Sequence, residues 1–147
     1  MIGDLLERML DLAKTPPQSI EKDATLILHE LLIRMSHEAR TEETDARAMM
    51  IRTYLDSAIS RRTAIRDVSA ATGISPATVN RVFRAAYGIT PYAYLTERRI
   101  EAAKQLLRST SLSVRSIAEH LAFADEFYFS YVFKKSVGVS PGRYRRV

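Results

Sequence analysis

The chain has 147 residues, of which 46% are hydrophobic and none is cysteine, and its formal net charge is +5. That length allows one domain with an extension, and the lack of cysteine excludes a disulfide framework and a thiolate metal site. No apolar run approaches the roughly 20 residues of a membrane-spanning helix. The composition therefore favours a cytoplasmic protein without a membrane segment.

The charge is unevenly distributed along the chain. Residues 1–45 contain five Lys or Arg and ten Asp or Glu, whereas residues 46–147 contain seventeen and seven. We therefore divide the chain into an acidic extension, 1–45, and a strongly basic domain, 46–147. A basic domain favours binding to a polyanion such as nucleic acid, although the same charge also fits a role in solubility.

The acidic extension has the pattern of a helical hairpin. Apolar residues at three- and four-residue spacing predict a helix over 2–14 and, after Pro16-Pro17, a second helix of about twenty residues capped by Ser19. The polar stretch 40–45 is the predicted domain boundary. Because a hairpin alone cannot bury both apolar stripes, we expect it to pack either on a second copy, in a homodimer, or on its own basic domain. No cofactor or metal site is predicted, since no ligand cluster has metal-binding spacing.

The first part of the basic domain predicts a helix-turn-helix over 63–84, preceded by a helix over about 47–60. Thr63 is the expected cap of a short helix that ends at Gly73. Ser75-Pro76 predicts the start of the next helix, with a hydroxyl at N-cap and proline at N1. Two short helices joined by a tight glycine-containing turn are typical of DNA-binding proteins, in which the second helix, here about 76–84, enters the major groove.

The second helix of this unit has an apolar face that predicts which residues point outward. Those residues are Ala77, Asn80, Arg81 and Arg84, with Thr78 at the margin. Arg81 can bind guanine with two hydrogen bonds, Asn80 can pair with adenine, and Ala77 or the Thr78 methyl can contact a thymine methyl. The alternative is that the arginines are solvated charges, and Arg84 is also a candidate for a phosphate contact.

A long helix over about 92–108, started by Thr90-Pro91, connects this unit to the rest of the chain. Its length is about 25 Å, which approaches the roughly 34 Å between successive major grooves on one side of DNA. It could therefore hold two recognition helices for neighbouring groove segments. Arg98 and Arg99 lie beside acidic residues and are expected to be solvated or paired locally.

A second helix-turn-helix is predicted over 113–135. Ser111 or Ser113 caps its first helix, Ala122 occupies the turn, and Asp125 caps the recognition helix, about 126–135. The outward residues of that helix are Glu126, Phe127, Ser130, Tyr131 and Lys134. Glu126 could accept a hydrogen bond from cytosine N4 and Phe127 could pack on a thymine methyl. Ser140-Pro141 then starts a final short helix.

The two units contain an internal repeat. Residues 83–94 return as residues 133–144, with the Phe, Gly, Thr/Ser-Pro and final Tyr positions all matched at one offset. The positions just upstream of each copy are not matched, since Asn80-Arg81 precedes the first and Ser130-Tyr131 the second. We therefore expect the scaffold to be duplicated and the first unit to carry most of the sequence specificity.

Residues 47–147 resemble the DNA-binding domain of the AraC/XylS family of bacterial transcription regulators, which has two helix-turn-helix subdomains joined by one long helix. The resemblance is carried by Gly73-Ile74-Ser75, Gly88-Ile89-Thr90-Pro91, Arg99-Ile100, Ile117-Ala118, Tyr128-Phe129-Ser130 and Gly138-Val139-Ser140-Pro141. It implies an all-α protein that regulates transcription and is not an enzyme. Its partners would be double-stranded DNA and RNA polymerase, in the bacterial cytoplasm at the nucleoid.

The resemblance also assigns roles to residues. The base-contacting positions are Ala77, Thr78, Asn80 and Arg81 in the first unit and Glu126, Phe127, Ser130 and Tyr131 in the second. Phosphate contacts are expected from Arg61, Arg62, Arg66, Arg84, Thr90, Lys134, Lys135 and Ser140.

The chain departs from the family pattern at three positions of the second unit. Ala122 replaces a usual glycine, which costs on the order of 1 kcal/mol if the turn needs positive φ. Tyr131 replaces a common arginine and Phe127 a common small polar residue. The alternative function is therefore a protein-interaction module that keeps the fold, has lost specific DNA binding and acts by pairing with other regulators.

Overall fold

The protein is all-helical in the part that the structure describes. A computed structural model describes Glu7 and residues 17–146. Within these residues there are seven helices and no strand, which confirms the predicted fold class: α1 Pro17–Ser57, α2 Ile65–Thr72, α3 Pro76–Tyr87, α4 Pro91–Ser109, α5 Val114–His120, α6 Glu126–Val137 and α7 Pro141–Tyr144. The helix predicted over 2–14 lies outside the described residues except for Glu7. None of the described helices has a segment apolar enough to span a lipid bilayer.

The long helix α1 corrects two predictions. The helix expected to begin at Ser19 and the one expected over 47–60 are a single helix of 41 residues, which starts at Pro17 and continues through the predicted domain boundary 40–45. Neither glycine nor proline occurs in α1 after its first residue. The polar side chains bond within the helix, since Thr41 Oγ1 donates to the carbonyl of His37 (2.9 Å) and Thr44 Oγ1 to that of Arg40 (2.8 Å). Polarity alone does not end a helix when neither glycine nor proline interrupts it.

The chain divides into two compact units, Met1–Thr44 and Asp45–Val147. The division falls inside α1, so the last part of that helix belongs to residues 45–147. These residues also contain both helix-turn-helix motifs, α2–α3 and α5–α6, and the connector helix α4. All the residues predicted to contact DNA therefore lie within residues 45–147.

Within residues 45–147, most helices begin next to a local capping side chain. The predicted caps are confirmed at Ser75, Thr90 and Asp125, and Ser113 rather than Ser111 caps α5. The cap of α2 is corrected. Ala64, not Thr63, occupies its N-cap, because the Asp67 carboxylate accepts from the Ala64 backbone N–H at 2.7 Å.

Two apolar cores lie along the connector helix. The first core contains Ala48, Ile51 and Leu55 of α1 together with residues of α2, α3 and the start of α4. The second core contains residues of the later part of α4 with α5 and α6. Ile59, in the loop after α1, packs against both cores. The connector therefore contributes one face to both helix-turn-helix motifs.

The internal repeat corresponds to one structural device used twice. Phe83 and Phe133 are fully buried, and each meets the final Tyr of its copy at a ring distance of 5.4 Å in an edge-on arrangement. Gly88 and Gly138 end the recognition helices in the left-handed conformation, with φ of 74° and 88°. The repeated residues therefore close each unit in the same way and do not form the outward surface.

Candidate nucleic-acid interface

The recognition helix of the first unit, α3, has a buried face and an exposed face, as predicted. Val79, Val82 and Phe83 are buried in the first core. The exposed residues include the predicted outward set, Ala77, Asn80, Arg81 and Arg84. Neither guanidinium makes a hydrogen bond or ion pair with any residue that the structure describes. Both side chains are therefore available to a ligand.

Two further residues of the first unit are partly engaged in holding the helix start. The Thr78 backbone N–H donates to Ser75 Oγ at 3.3 Å, and the two hydroxyls are 2.9 Å apart. Thr78 is half-buried, so only part of its surface remains accessible. Asn80 Nδ2 lies 3.4 Å from the carbonyl of Pro76, a weak bond that leaves the amide able to pair with a base edge.

The recognition helix of the second unit, α6, presents aromatic side chains. Phe127 is 86% exposed and Tyr131 is 63% exposed, whereas Phe129 and Phe133 are buried. Glu126 and Ser130 are half-buried. Phe127 and Tyr131 are four residues apart and so share one face of the helix. The outward surface of α6 therefore differs in chemistry from that of α3.

The residues predicted to bind phosphate fall into three groups. Arg62, Arg84, Lys134 and Lys135 are exposed and have no ion-pair partner among the described residues. Arg61 lies over the ring of Tyr54, 5.0 Å from its centre, and Arg66 is 3.8 Å from Asp67. Thr90 and Ser140 occupy the N-caps of α4 and α7, although only Thr90 accepts a side-chain bond there, from Ala93 N–H at 3.2 Å.

Arg99 is a residue that the sequence reading placed wrongly. It is only 7% exposed, and its guanidinium donates from Nε to the carbonyl of Ile59 (3.0 Å) and from Nη2 to that of Arg61 (2.8 Å). The same group lies 5.9 Å from the ring centre of Phe123, in the turn of the second unit. Burial lowers its pKa from the usual value. Its spacing of four residues from both Leu95 and Ala103 in the apolar stripe of α4 was the available signal.

Arg98 is also paired at long range and not locally. Its Nε donates to Asp56 Oδ1 at 3.0 Å, and the Tyr94 hydroxyl donates to the same carboxylate oxygen at 3.0 Å. Arg52 Nε donates to that hydroxyl at 3.1 Å. Burial is the main cause that raises the Tyr94 pKa, so this phenol stays protonated as a donor. The network connects the end of α1 to α4 and so fixes the first unit on the connector.

The turn of the second unit has the conformation for which glycine would be preferred. Ala122 has φ of 54° and is the one non-glycine residue with positive φ among those described. Gly73, in the turn of the first unit, has φ of 69°. The second turn is also one residue longer before its N-cap, because two residues separate Ala122 from Asp125 and one separates Gly73 from Ser75. The two motifs are therefore similar but not identical in their turns.

No group of His, Asp or Glu in the described part of the chain is arranged to hold a metal ion.

The chain is similar in sequence to bacterial transcription regulators. A helix-turn-helix domain family matches residues 68–147. The transcriptional activator NphR of Rhodococcus sp is 42% identical over 82 residues, which are 56% of this chain and 24% of that protein. The arabinose operon regulatory protein of Escherichia coli (strain K12) is 28% identical over 147 residues, 97% of this chain and 50% of that protein. The chain thus spans half the length or less of these two relatives.

Solved structures share the same fold. The C-terminal domain of AraT, a response regulator from Geobacillus stearothermophilus, has a TM-score of 0.66 and 35% identity over 68% of this chain and 84% of that chain. The DNA-binding domain of AdpA, in complex with a target DNA, has a TM-score of 0.64 at 23% identity over 67% of this chain and 89% of that chain. With the family match covering more than half of its length, the chain belongs to the AraC family of transcription regulators, which are DNA-binding proteins and not enzymes.

Proposed function

We propose that this chain is a sequence-specific regulator of transcription that inserts α3 and α6 into consecutive major grooves of one DNA duplex. The observation that supports this most is Arg81, an exposed guanidinium without a partner among the residues that the structure describes, on a helix whose opposite face is fully buried. A guanidinium in this setting matches the O6 and N7 acceptors of guanine with two parallel hydrogen bonds.

The length of the connector supports the use of two grooves. Helix α4 has 19 residues, and a helix of that length is about 28 Å long. The major grooves on one side of B-DNA repeat at about 34 Å. Because α4 contributes to both cores, it would hold the two recognition helices at a fixed separation of this order.

The two recognition helices would read DNA by different means. Asn80 and Arg81 offer hydrogen bonds to adenine and guanine, and Ala77 and Thr78 offer contacts to thymine methyls. In the second unit, Phe127 and Tyr131 offer apolar contacts and Glu126 an acceptor for cytosine N4. Ser130 lies at the same face. We expect the hydrogen-bonding helix α3 to supply most of the sequence preference.

Contacts to the DNA backbone would position the protein without reading sequence. We assign them to the basic side chains and helix starts around the two motifs, namely Arg61, Arg62, Arg66, Arg84, Thr90, Lys134, Lys135 and Ser140. The strongest contributors in this proposal are Arg62, Arg84, Lys134 and Lys135, which are exposed and have no ion-pair partner within the described part of the chain.

A gel-shift titration at two salt concentrations tests the proposal, on duplexes selected from a random DNA pool. Arg81→Ala should weaken specific binding by about 1–3 kcal/mol and relax the preference at one base pair. Arg84→Ala is the matched control, because it removes another exposed arginine of the same helix and should weaken all sequences alike. A uniform loss for Arg81→Ala would show that Arg81 binds phosphate instead of a base.

The exposed aromatic pair of α6 supports a second candidate function. Phe127 and Tyr131 would also suit a protein-interaction module that pairs with other regulators. Weak binding without sequence preference in the same titration would favour this alternative over the proposed function.

We also propose that residues 1–45 mediate a homodimer. Leu28, Leu32 and Met35 in α1 are 55%, 57% and 63% exposed, and their spacing of four and three residues places them on one face of the helix. An exposed apolar stripe of this kind suits pairing with the same stripe of a second copy.

A further inference from the structure

A cleft of about 280 Å³ lies between the two helix-turn-helix units. Its polar lining consists of Arg62, Thr63, Tyr92, Thr96, Arg99 and Tyr128. The residues that line it include two arginines and four hydroxyl groups but no Asp or Glu. A site with cations and donors and without a carboxylate favours an anion.

The two tyrosines form a pair across this cleft. Tyr92 lies in the first turn of α4 and Tyr128 in the first turn of α6, and their hydroxyl oxygens are 3.0 Å apart. Since one hydroxyl donates to the other, the second retains its proton for an acceptor outside the pair. The hydrogen bond to Tyr92 is the main cause that raises the Tyr128 pKa, so the Tyr128 hydroxyl stays protonated. Chains of this kind strengthen the terminal donor.

The other donors of the cleft are already engaged. The Thr63 hydroxyl donates to the carbonyl of Arg61 (3.1 Å) and the Thr96 hydroxyl to that of Tyr92 (2.9 Å). Arg99 is held by the two loop carbonyls described above and contributes mainly its charge. Arg62 is exposed and has no ion-pair partner in the described residues. The groups available to an incoming anion are therefore the tyrosine pair and Arg62.

The cleft lies close to residues of both recognition helices. Tyr92 and Thr63 also line a neighbouring apolar cavity of about 190 Å³ that reaches Asn80 on α3. On the other side, Tyr128 directly follows Phe127 on α6. In the proposed complex, a duplex that contacts Asn80 and Phe127 at once would carry a stretch of its sugar-phosphate backbone past the tyrosine pair.

We propose that this cleft is a phosphodiester-binding site, in which the hydroxyl of the Tyr92–Tyr128 pair that accepts from its partner donates its own proton to a phosphate oxygen, and Arg62 neutralises the phosphate charge. The inference rests on the proposed function, because it requires both recognition helices to contact one duplex. The site binds the DNA backbone between the two groove segments that α3 and α6 contact. The affinity for DNA therefore depends on the spacing of these two segments.

The test uses the full chain and a duplex selected from a random pool. A single uncharged methylphosphonate is moved through each position between the two groove segments. Wild-type binding should fall about tenfold at one or two positions, the size expected for loss of a hydrogen bond to a charged group. A flat profile across all positions would overturn the proposal without any protein variant.

Two variants connect the profile to the tyrosines. The double change Tyr92→Phe with Tyr128→Phe should bind natural DNA about tenfold more weakly and lose nothing further at the sensitive position. Tyr54→Phe removes a hydroxyl that does not line the cleft and should bind as the wild type does. Arg62→Ala should lower the slope of log affinity against log salt by about one. If the double variant retains the full methylphosphonate effect, another residue binds that phosphate and the assignment fails.

A free phosphate compound has the same chemistry as the DNA backbone. Inorganic phosphate is therefore added to the protein without DNA, and thermal unfolding is followed for the wild type and the double variant. No difference between them is expected. A phosphate-dependent stabilisation limited to the wild type, together with a flat methylphosphonate profile, would assign the cleft to a small ligand. Absence of sequence preference in the wild type would instead contradict the proposed function itself.

Discussion

Ala122 adopts a left-handed backbone conformation, which is unfavourable for an L-residue with a Cβ atom but not for glycine. Its φ of 54° brings Cβ close to the following carbonyl, at a cost of about 1–2 kcal/mol. The turn is held by neighbouring backbone bonds, from Ala122 N–H to Glu119 (3.1 Å) and from Phe123 N–H to Ala118 (2.9 Å). The surrounding structure therefore imposes this conformation on the residue.

Replacing Ala122 by glycine should stabilise the domain. Ala122→Gly should raise the free energy of unfolding by about 0.5–1 kcal/mol, because the relief of the left-handed conformation exceeds the added freedom of the unfolded chain. Urea denaturation measures it. Gly73→Ala is the matched control, since a Cβ there meets nothing within 4 Å and only the conformational cost applies. It should lower stability by a similar amount, and an unchanged or lower stability of Ala122→Gly would contradict the explanation.

At the residue scale, the sequence predicted exposure well where it depends on one helix face. Ala77, Asn80 and Arg81 are exposed because Val79, Val82 and Phe83 anchor the opposite face of α3. The inward position of Arg99 follows from the apolar stripe of α4, but its hydrogen-bond partners could not be predicted in this way. Its partners are loop carbonyls forty and thirty-eight residues away, and helical periodicity carries no information about where that loop lies.

Among the helices and loops of residues 45–147, Arg99 connects three elements. It belongs to α4, bonds to the loop between α1 and α2, and lies against Phe123 between α5 and α6. The two carbonyls that it satisfies come just after α1 ends at Ser57. The guanidinium thus bonds the α1–α2 loop and contacts the second motif at one place.

Arg99→Met should destabilise the protein by about 2–4 kcal/mol, because it leaves two carbonyls without their charged donor while keeping most of the side-chain volume. The measurement is chemical denaturation followed by circular dichroism. Arg99→Lys keeps the charge but cannot reach both carbonyls with a rigid fork, so we expect about half of that loss. If lysine restored full stability, charge alone and not the two-bond geometry would be responsible.

Helix starts within residues 45–147 were predictable because the side chains that cap them are close in sequence. A capping side chain three residues from the amide it binds, as in Ser75, Thr90 and Asp125, is visible in the sequence. The continuity of α1 through residues 40–45 was not predicted, because this stretch has no local signal that distinguishes the two possibilities. A run of polar residues indicates exposure, and exposure is compatible with a helix as well as with a linker.

At the scale of the whole molecule, the acidic extension is expected to set the oligomeric state. Replacing Leu28, Leu32 and Met35 by Glu should convert the proposed dimer to a monomer, since it places like charges on the apolar stripe. Analytical ultracentrifugation measures the mass. Leu26→Glu with Ile33→Glu is the control, because these residues are equally exposed but lie on another side of the helix. If the protein still forms a dimer after deletion of residues 1–45, as judged from the measured mass divided by the mass of the shortened chain, the proposal is contradicted.

The duplicated Phe–Tyr closure has a consequence for how such a protein can change during evolution. In both units the residues that maintain the fold are buried or sit at turns, and the residues that would meet DNA lie on the opposite face of α3 and α6. Substitutions on the outer faces can therefore accumulate without loss of folding. One unit can acquire a new target while its twin retains the old one, and the aromatic surface of α6 beside the polar surface of α3 is the pattern that such independent drift would leave.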